Sequence, residues 1–177
     1  MIKRLFSLAA AALAALVSGC GDGPATVPSG IRSAATWSSM VNATKDGPML
    51  LVVHGDPFGL GAEEQGRRAA EAMSGAIPGR PFAFTARPQA AARQDIRVVI
   101  ALGGPEGADP RKLCSGASPL SGLPTASGRL NVVAAFCDGD GMLSGVRGWV
   151  AKVKDADDRR FHQLLGQVVR DLMGEPQ

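Results

Sequence analysis

The chain of 177 residues has no tyrosine, two tryptophans, six phenylalanines, two histidines and three cysteines. So few aromatic rings argue against a nucleic-acid platform, which holds successive bases on aromatic faces, and against a carbohydrate cleft. No Cys-x-x-Cys pair occurs, and the three cysteines lie far apart in unlike surroundings, which excludes a dithiol redox motif or a zinc site. Basic clusters are also missing. Arg67-Arg68 and Arg159-Arg160 are isolated pairs beside acidic residues and read as solvated helix faces, so no nucleic-acid partner is expected. The longest uncharged apolar run is Leu5–Val17, thirteen residues. As a helix it spans only about 20 Å, short of the roughly 20 residues a transmembrane helix needs.

That short run is nonetheless informative. Lys3 and Arg4 precede it, and Ser18-Gly19-Cys20 follows. A positive start, a brief apolar core and small residues at its end describe a cleavable export signal. Val17-Ser18-Gly19-Cys20 resembles the lipobox of bacterial lipoproteins. The resemblance covers the first 20 residues. It implies diacylglycerol transfer to the Cys20 thiol, cleavage before Cys20, and acylation of the new amino group. Several acyl chains hold a protein stably on a bilayer where one does so only marginally. In Gram-negative lipoproteins an acidic residue directly after the cysteine retains the protein at the inner membrane. Gly21 stands there, with Asp22 one further on, so the resemblance implies an outer-membrane, periplasm-facing location. The alternative is an ordinary secretory signal with an unmodified Cys20.

Removal of residues 1–19 leaves a length suited to one domain. It also leaves 17 basic against 16 acidic residues, so the precursor's basic balance carries no functional message. Residues 20–30, rich in Gly, Pro and Ser, read as a flexible tether, and 31–177 as a single α/β domain. With Cys20 assigned to lipid, Cys114 and Cys137 remain as an even pair in an oxidising compartment. A disulfide between them is the favoured reading, and two buried free thiols are the alternative.

Met49–His54, Ile96–Leu102 and Leu130–Cys137 are continuous apolar runs closed by Gly, Pro or Asp, and read as buried strands. Asp138-Gly139-Asp140-Gly141 is a hairpin turn leading into a strand over 142–153, and Pro81–Ala86 is a candidate edge strand. A short helix is expected behind Ser33 or Thr36, and another over Ala62–Ser74. The clearest helix is 156–173, where Phe161, Leu164, Leu165, Val168, Val169 and Leu172 form one apolar stripe, capped by Asp155 or Asp157. The expected fold is a two-layer α/β (α+β) sandwich with a mixed, largely antiparallel sheet of four or five strands and two main helices. Residues 103–128, with six Gly and four Pro, form a long loop of the kind that is functional or stapled. A disulfide through Cys114 would tie it to a strand.

Chemistry-bearing patterns are sparse. Val53-His54-Gly55 resembles the oxyanion loop of α/β-hydrolases, but no Gly-x-Ser-x-Gly follows; Gly116-Ala117-Ser118-Pro119-Leu120 lacks the second Gly. Asp138-Gly139-Asp140-Gly141 lacks the third oxygen ligand of a calcium loop, where Met142 stands. Gly59-Leu60-Gly61 departs from a dinucleotide fingerprint because Glu64 takes the place of the third Gly. The element order is similar to the thioredoxin-like fold, yet residues 55–58 hold no cysteine. His54 with Asp56 is the one candidate pair for a general base and its orienting carboxylate, with His54 otherwise closing the loop that follows through a ring nitrogen. No metal and no cofactor are expected. The expectation is a membrane-anchored, non-catalytic binding or accessory protein whose envelope protein partner meets the 55–61 or 103–128 loop. The runner-up is a periplasmic enzyme using His54 and Asp56, and a purely structural lipoprotein is a third reading.

Overall fold

The computed structural model describes residues 22–105, 107–116 and 128–174. One mixed sheet of six strands organises the chain: β1 (Ala25–Pro28), β2 (Met49–His54), β3 (Phe84–Thr85), β4 (Ile96–Leu102), β5 (Arg129–Asp138) and β6 (Gly141–Ala151), in the order β1-β6-β5-β4-β2-β3. β3, β2 and β4 run parallel to one another; β5, β6 and β1 continue the sheet antiparallel. Four helices accompany it: α1 (Thr36–Ala43), α2 (Ala62–Met73), α3 (Arg111–Cys114) and α4 (Arg159–Met173). The α+β class is as expected, with two corrections. The sheet has six strands rather than four or five, and the sixth, β1, comes from residues assigned to the tether.

The parallel part follows from βα connections. β2 is a near-continuous apolar run, as a strand buried on both faces must be. α2 leads away from it with an inner face of small residues, including Gly66, Ala69 and Ala70. A Cβ on Gly66 would sit 2.8 Å from that of Ala86, so the glycine permits the helix to lie close on the β3 side. The antiparallel part follows from the hairpin. Asp138 faces Gly141, leaving Gly139 and Asp140 as the turn, and Gly139 takes φ +55°.

Alternation along the strands divides the apolar residues between two faces. Ile96, Val98 and Ile100 of β4, Val132, Ala134 and Phe136 of β5, and Val146 and Val150 of β6 pack against α1, α2 and α4 in the main core. Phe161, Leu164, Leu165, Val168, Val169 and Leu172 of α4 are all fully buried there, which is the sequence stripe realised. The helix starts three residues later than expected, at Arg159. Asp158, not Asp155 or Asp157, caps it by accepting from the Arg160 N–H at 2.9 Å. Gly148 of β6 admits close contact on this face: a Cβ there would lie 3.0 Å from Leu164 Cδ1 and 3.0 Å from the Ala25 carbonyl oxygen.

On the second face a smaller core gathers Val99, Ala101, Val133, Ala135 and Cys137 under Ala108, Leu113 and Cys114. A β-bulge near Phe136/Cys137 pairs Phe136 with Ser144 and Cys137 with Met142, leaving Leu143 as the extra residue. The bulge resets the alternation. Ser144 therefore meets α4 through its hydroxyl, which donates to the Leu172 carbonyl at 2.8 Å, while Met142 joins the second core.

Candidate functional site

The two cysteines assigned to a staple are joined. Cys114 and Cys137 form a disulfide, with their Cα atoms 5.5 Å apart. Both are fully buried. The bond fixes α3 on the second face of β5, where Pro110 also packs over Gly145; a Cβ on that glycine would lie 3.0 Å from the proline Cβ. Arg97 of β4 points to the same face, and its guanidinium donates to the Cys114 carbonyl at 3.0 Å. Thus part of the 103–128 segment is ordered on the sheet; residues 106 and 117–127 lie outside the described residues.

His54 and Asp56 make separate contacts. Among the described residues no hydrogen bond joins them. His54 ends β2 on the second face, in register with Ala101 of β4, and is half-buried. The loop-closing role expected of its ring falls to Asp56 instead. The Asp56 carboxylate accepts from the Gly61 N–H at 2.7 Å and the Leu60 N–H at 2.9 Å, clamping the loop that enters α2. These backbone donors, Gly61 first and Leu60 next, hold its carboxyl below the usual carboxylate range. A carboxylate so engaged clamps the loop. Phe58 of this loop stacks edge-on against Phe161 of α4, with ring centroids 5.3 Å apart, so the loop is also held by the core.

Charged residues of α2 form ion pairs. Glu64 receives Arg67 and Arg68, which pull its carboxyl down to about 2. Arg68 also pairs with Asp157, linking α2 to the segment before α4. Such exposed pairs contribute little to stability. Among the described residues there is no group of three or more His, Cys, Asp or Glu placed to hold a metal ion, and no helix is long and apolar enough to cross a membrane.

The concave feature of the second face lies elsewhere, where β1, β6 and β5 meet. Val27, Arg129, Asn131, Val133, Arg147, Gly148 and Trp149 line a cleft of about 260 Å³. The antiparallel registers generate it. Ala25 faces Trp149 and Val27 faces Arg147 across β1/β6, while Asn131 faces Trp149 and Val133 faces Arg147 across β5/β6. Residues directly opposite share a face, so an apolar stripe and two arginines converge. The Arg129 guanidinium lies 5.9 Å from the centre of the Trp149 ring. Asn131 is buried and donates to the Gly104 carbonyl at 3.2 Å, which closes one end. Sequence reasoning missed this cleft. Its signal was present in Val146-Arg147-Gly148-Trp149-Val150, where strict alternation sets Arg147 and Trp149 on the face opposite the two valines.

No protein-family model matches the chain, and no curated protein matches it. Among solved structures it is similar to PelC from Paraburkholderia phytofirmans, a dodecamer seen in two crystal forms. Both have TM-score 0.42 and 11% identity, and the match covers 86% of this chain and 99% of the other. At that distance neither the assembly nor a role transfers.

Proposed function

We propose that this chain is a lipid-anchored envelope protein that acts as a non-catalytic binding or accessory component, held through acylated Cys20 and facing the periplasm at the outer membrane. The Cys114–Cys137 disulfide carries the compartment part of this reading, because such bonds persist in oxidising surroundings. The cleft of the second face supplies a binding surface with the mixed character that small ligands and partner side chains use: an aromatic face, aliphatic edges and a few convergent polar groups. A binding role on a sheet face needs no nucleophile and no activated base.

Two measurements on the same strain test it. Mass spectrometry of the purified protein should find an N-terminal Cys20 bearing acyl groups, and Cys20→Ser should release or mislocalise the protein. A photo-crosslinking residue at Val27, on the rim of the cleft, should trap an envelope component in intact cells, with Trp149→Ala reducing the adduct at least fivefold. An intact Met1 with unmodified Cys20, or a substrate turnover abolished by His54→Ala, overturns the proposal.

A further inference from the structure

The N-terminal strap and the outer face of α4 form one flank, on the side of the sheet opposite the cleft. Pro24 contributes to a broad, open groove there with Arg159, His162, Gln163, Gly166, Gln167 and Arg170. On a helix, Arg159, Gln163, Gly166 and Arg170 fall nearly in line, about 16 Å from end to end. Gly166 forms the floor: it is buried although it lies on the outer stripe, and a Cβ there would meet the Arg170 guanidinium at 3.4 Å. Among the described residues the groove has no carboxylate in its lining. The nearby acids are engaged elsewhere. Asp22 pairs with Lys152, Asp157 pairs with Arg68, Asp158 caps α4, and Asp171 receives the Thr26 hydroxyl. Among the described residues neither Arg159 nor Arg170 has an ion-pair partner. Just past the strap, Ile31 is 93% exposed.

The covalent chain sets where this flank sits relative to an anchor at Cys20. Pro24 is four residues on, and an extended chain covers at most about 3.6 Å per residue, so acyl chains on Cys20 keep the near end of the groove within roughly 14 Å of the bilayer surface. From Ala25 onward the strap is fixed to β6 as β1. The short connection keeps the β1 edge and this flank close to an anchor at Cys20.

We infer that this flank lies against the membrane, with Arg159 and Arg170 binding the phosphates of anionic lipid headgroups along the groove of α4. The inference rests on the proposed acylation of Cys20. Guanidinium groups suit the task because they grip phosphate through paired N–H donors and remain charged at every physiological pH. Each basic residue held near an anionic leaflet adds an attraction that falls away within a Debye length. The cleft with Trp149 is then directed away from the bilayer, toward soluble or membrane-spanning partners.

The test uses the full acylated protein in vesicles of phosphatidylethanolamine with phosphatidylglycerol. A photo-crosslinking residue replaces Gln163 in the groove or, as the control, exposed Lys112 on α3 at the opposite face. Lipid adducts should form at Gln163 at least fivefold more than at Lys112. They should fall about fivefold when Arg159→Gln and Arg170→Gln are combined, and again in the unaltered protein when salt rises from roughly 50 to 500 mM, which shortens the Debye length about threefold. The double Lys variant should retain most of the yield. Equal labelling at the two positions, indifference to salt, or capture of protein rather than lipid at Gln163 overturns the inference while leaving the anchor standing. An intact mass without acyl groups in the same sample removes the anchor and this placement together.

Discussion

Asp56 illustrates how a single side chain can be read two ways from sequence and one way from structure. Beside His54 it suggests a base and its orienter; in the fold its two oxygens are spent on the Gly61 and Leu60 N–H groups. The consequence is a pH dependence of definite sign. Its folded-state pKa lies below the value near 3.9 expected for an unfolded aspartate, so the clamp contributes fully above that value and is lost as pH falls through the lower folded one. Protection factors at Leu60 and Gly61, that is, exchange relative to the intrinsic rate at each pH, should hold from pH 7 to about 4 and fall below it, and Asp56→Ala should lower them throughout. A second expectation at this scale concerns Gly148. Its substitution by Val drives methyl groups into the Ala25 carbonyl and Leu164, which are already at contact distance from a bare Cβ. Overpacking of this kind costs about 1–3 kcal/mol, measurable as a lower midpoint in urea, with β1 losing exchange protection before β5.

Among the elements, α4 and the strands β2, β4 and β5 were legible because one dominant signal defines each. The α4 stripe repeats every three or four residues through Leu172, and β2, β4 and β5 are apolar runs too short to be helices. β1 was illegible for the opposite reason. Ala25-Thr26-Val27-Pro28 lies in a Gly, Pro and Ser stretch, and its hydrogen-bonding partner is 124 residues away, since Ala25 faces Trp149. Nothing local marks such a strand; β6 supplies its conformation. The cleft was illegible because it exists only where β1, β6 and β5 lie side by side. The Cys pair, by contrast, needed only counting. At this scale Phe161 is the decisive packing residue, fully buried and stacked on Phe58. Phe161→Ala should cost about 3–5 kcal/mol in equilibrium denaturation and loosen the 55–61 loop as well as the first turn of α4.

For the molecule as a whole, the asymmetry of the two sheet faces governs stability. Among the described residues, one face is covered by α1, α2 and α4 around a large core, the other by a small core under α3. The disulfide compensates for that thinner cover by closing a loop between residues 23 apart in sequence. In the chain-entropy account a loop of this size stabilises by roughly 3 kcal/mol. Replacing both cysteines with alanine should therefore lower unfolding free energy by about that amount, with a steeper denaturant dependence as the unfolded chain expands. The main core should keep its exchange protection, while α3 and the second-face ends of β5 and β6 should lose theirs.

The pairing of β1 with β6, rather than with the strand that follows it, also fixes an order of events for a chain delivered N-terminus first. Until Trp149 has emerged, Ala25 has no strand to join. In a chain exported as proposed, residues 25–28 would stay unpaired until β6 arrives. If Cys20 is acylated as proposed, that processing could be finished before the last strand to arrive draws the N-terminal edge into the sheet.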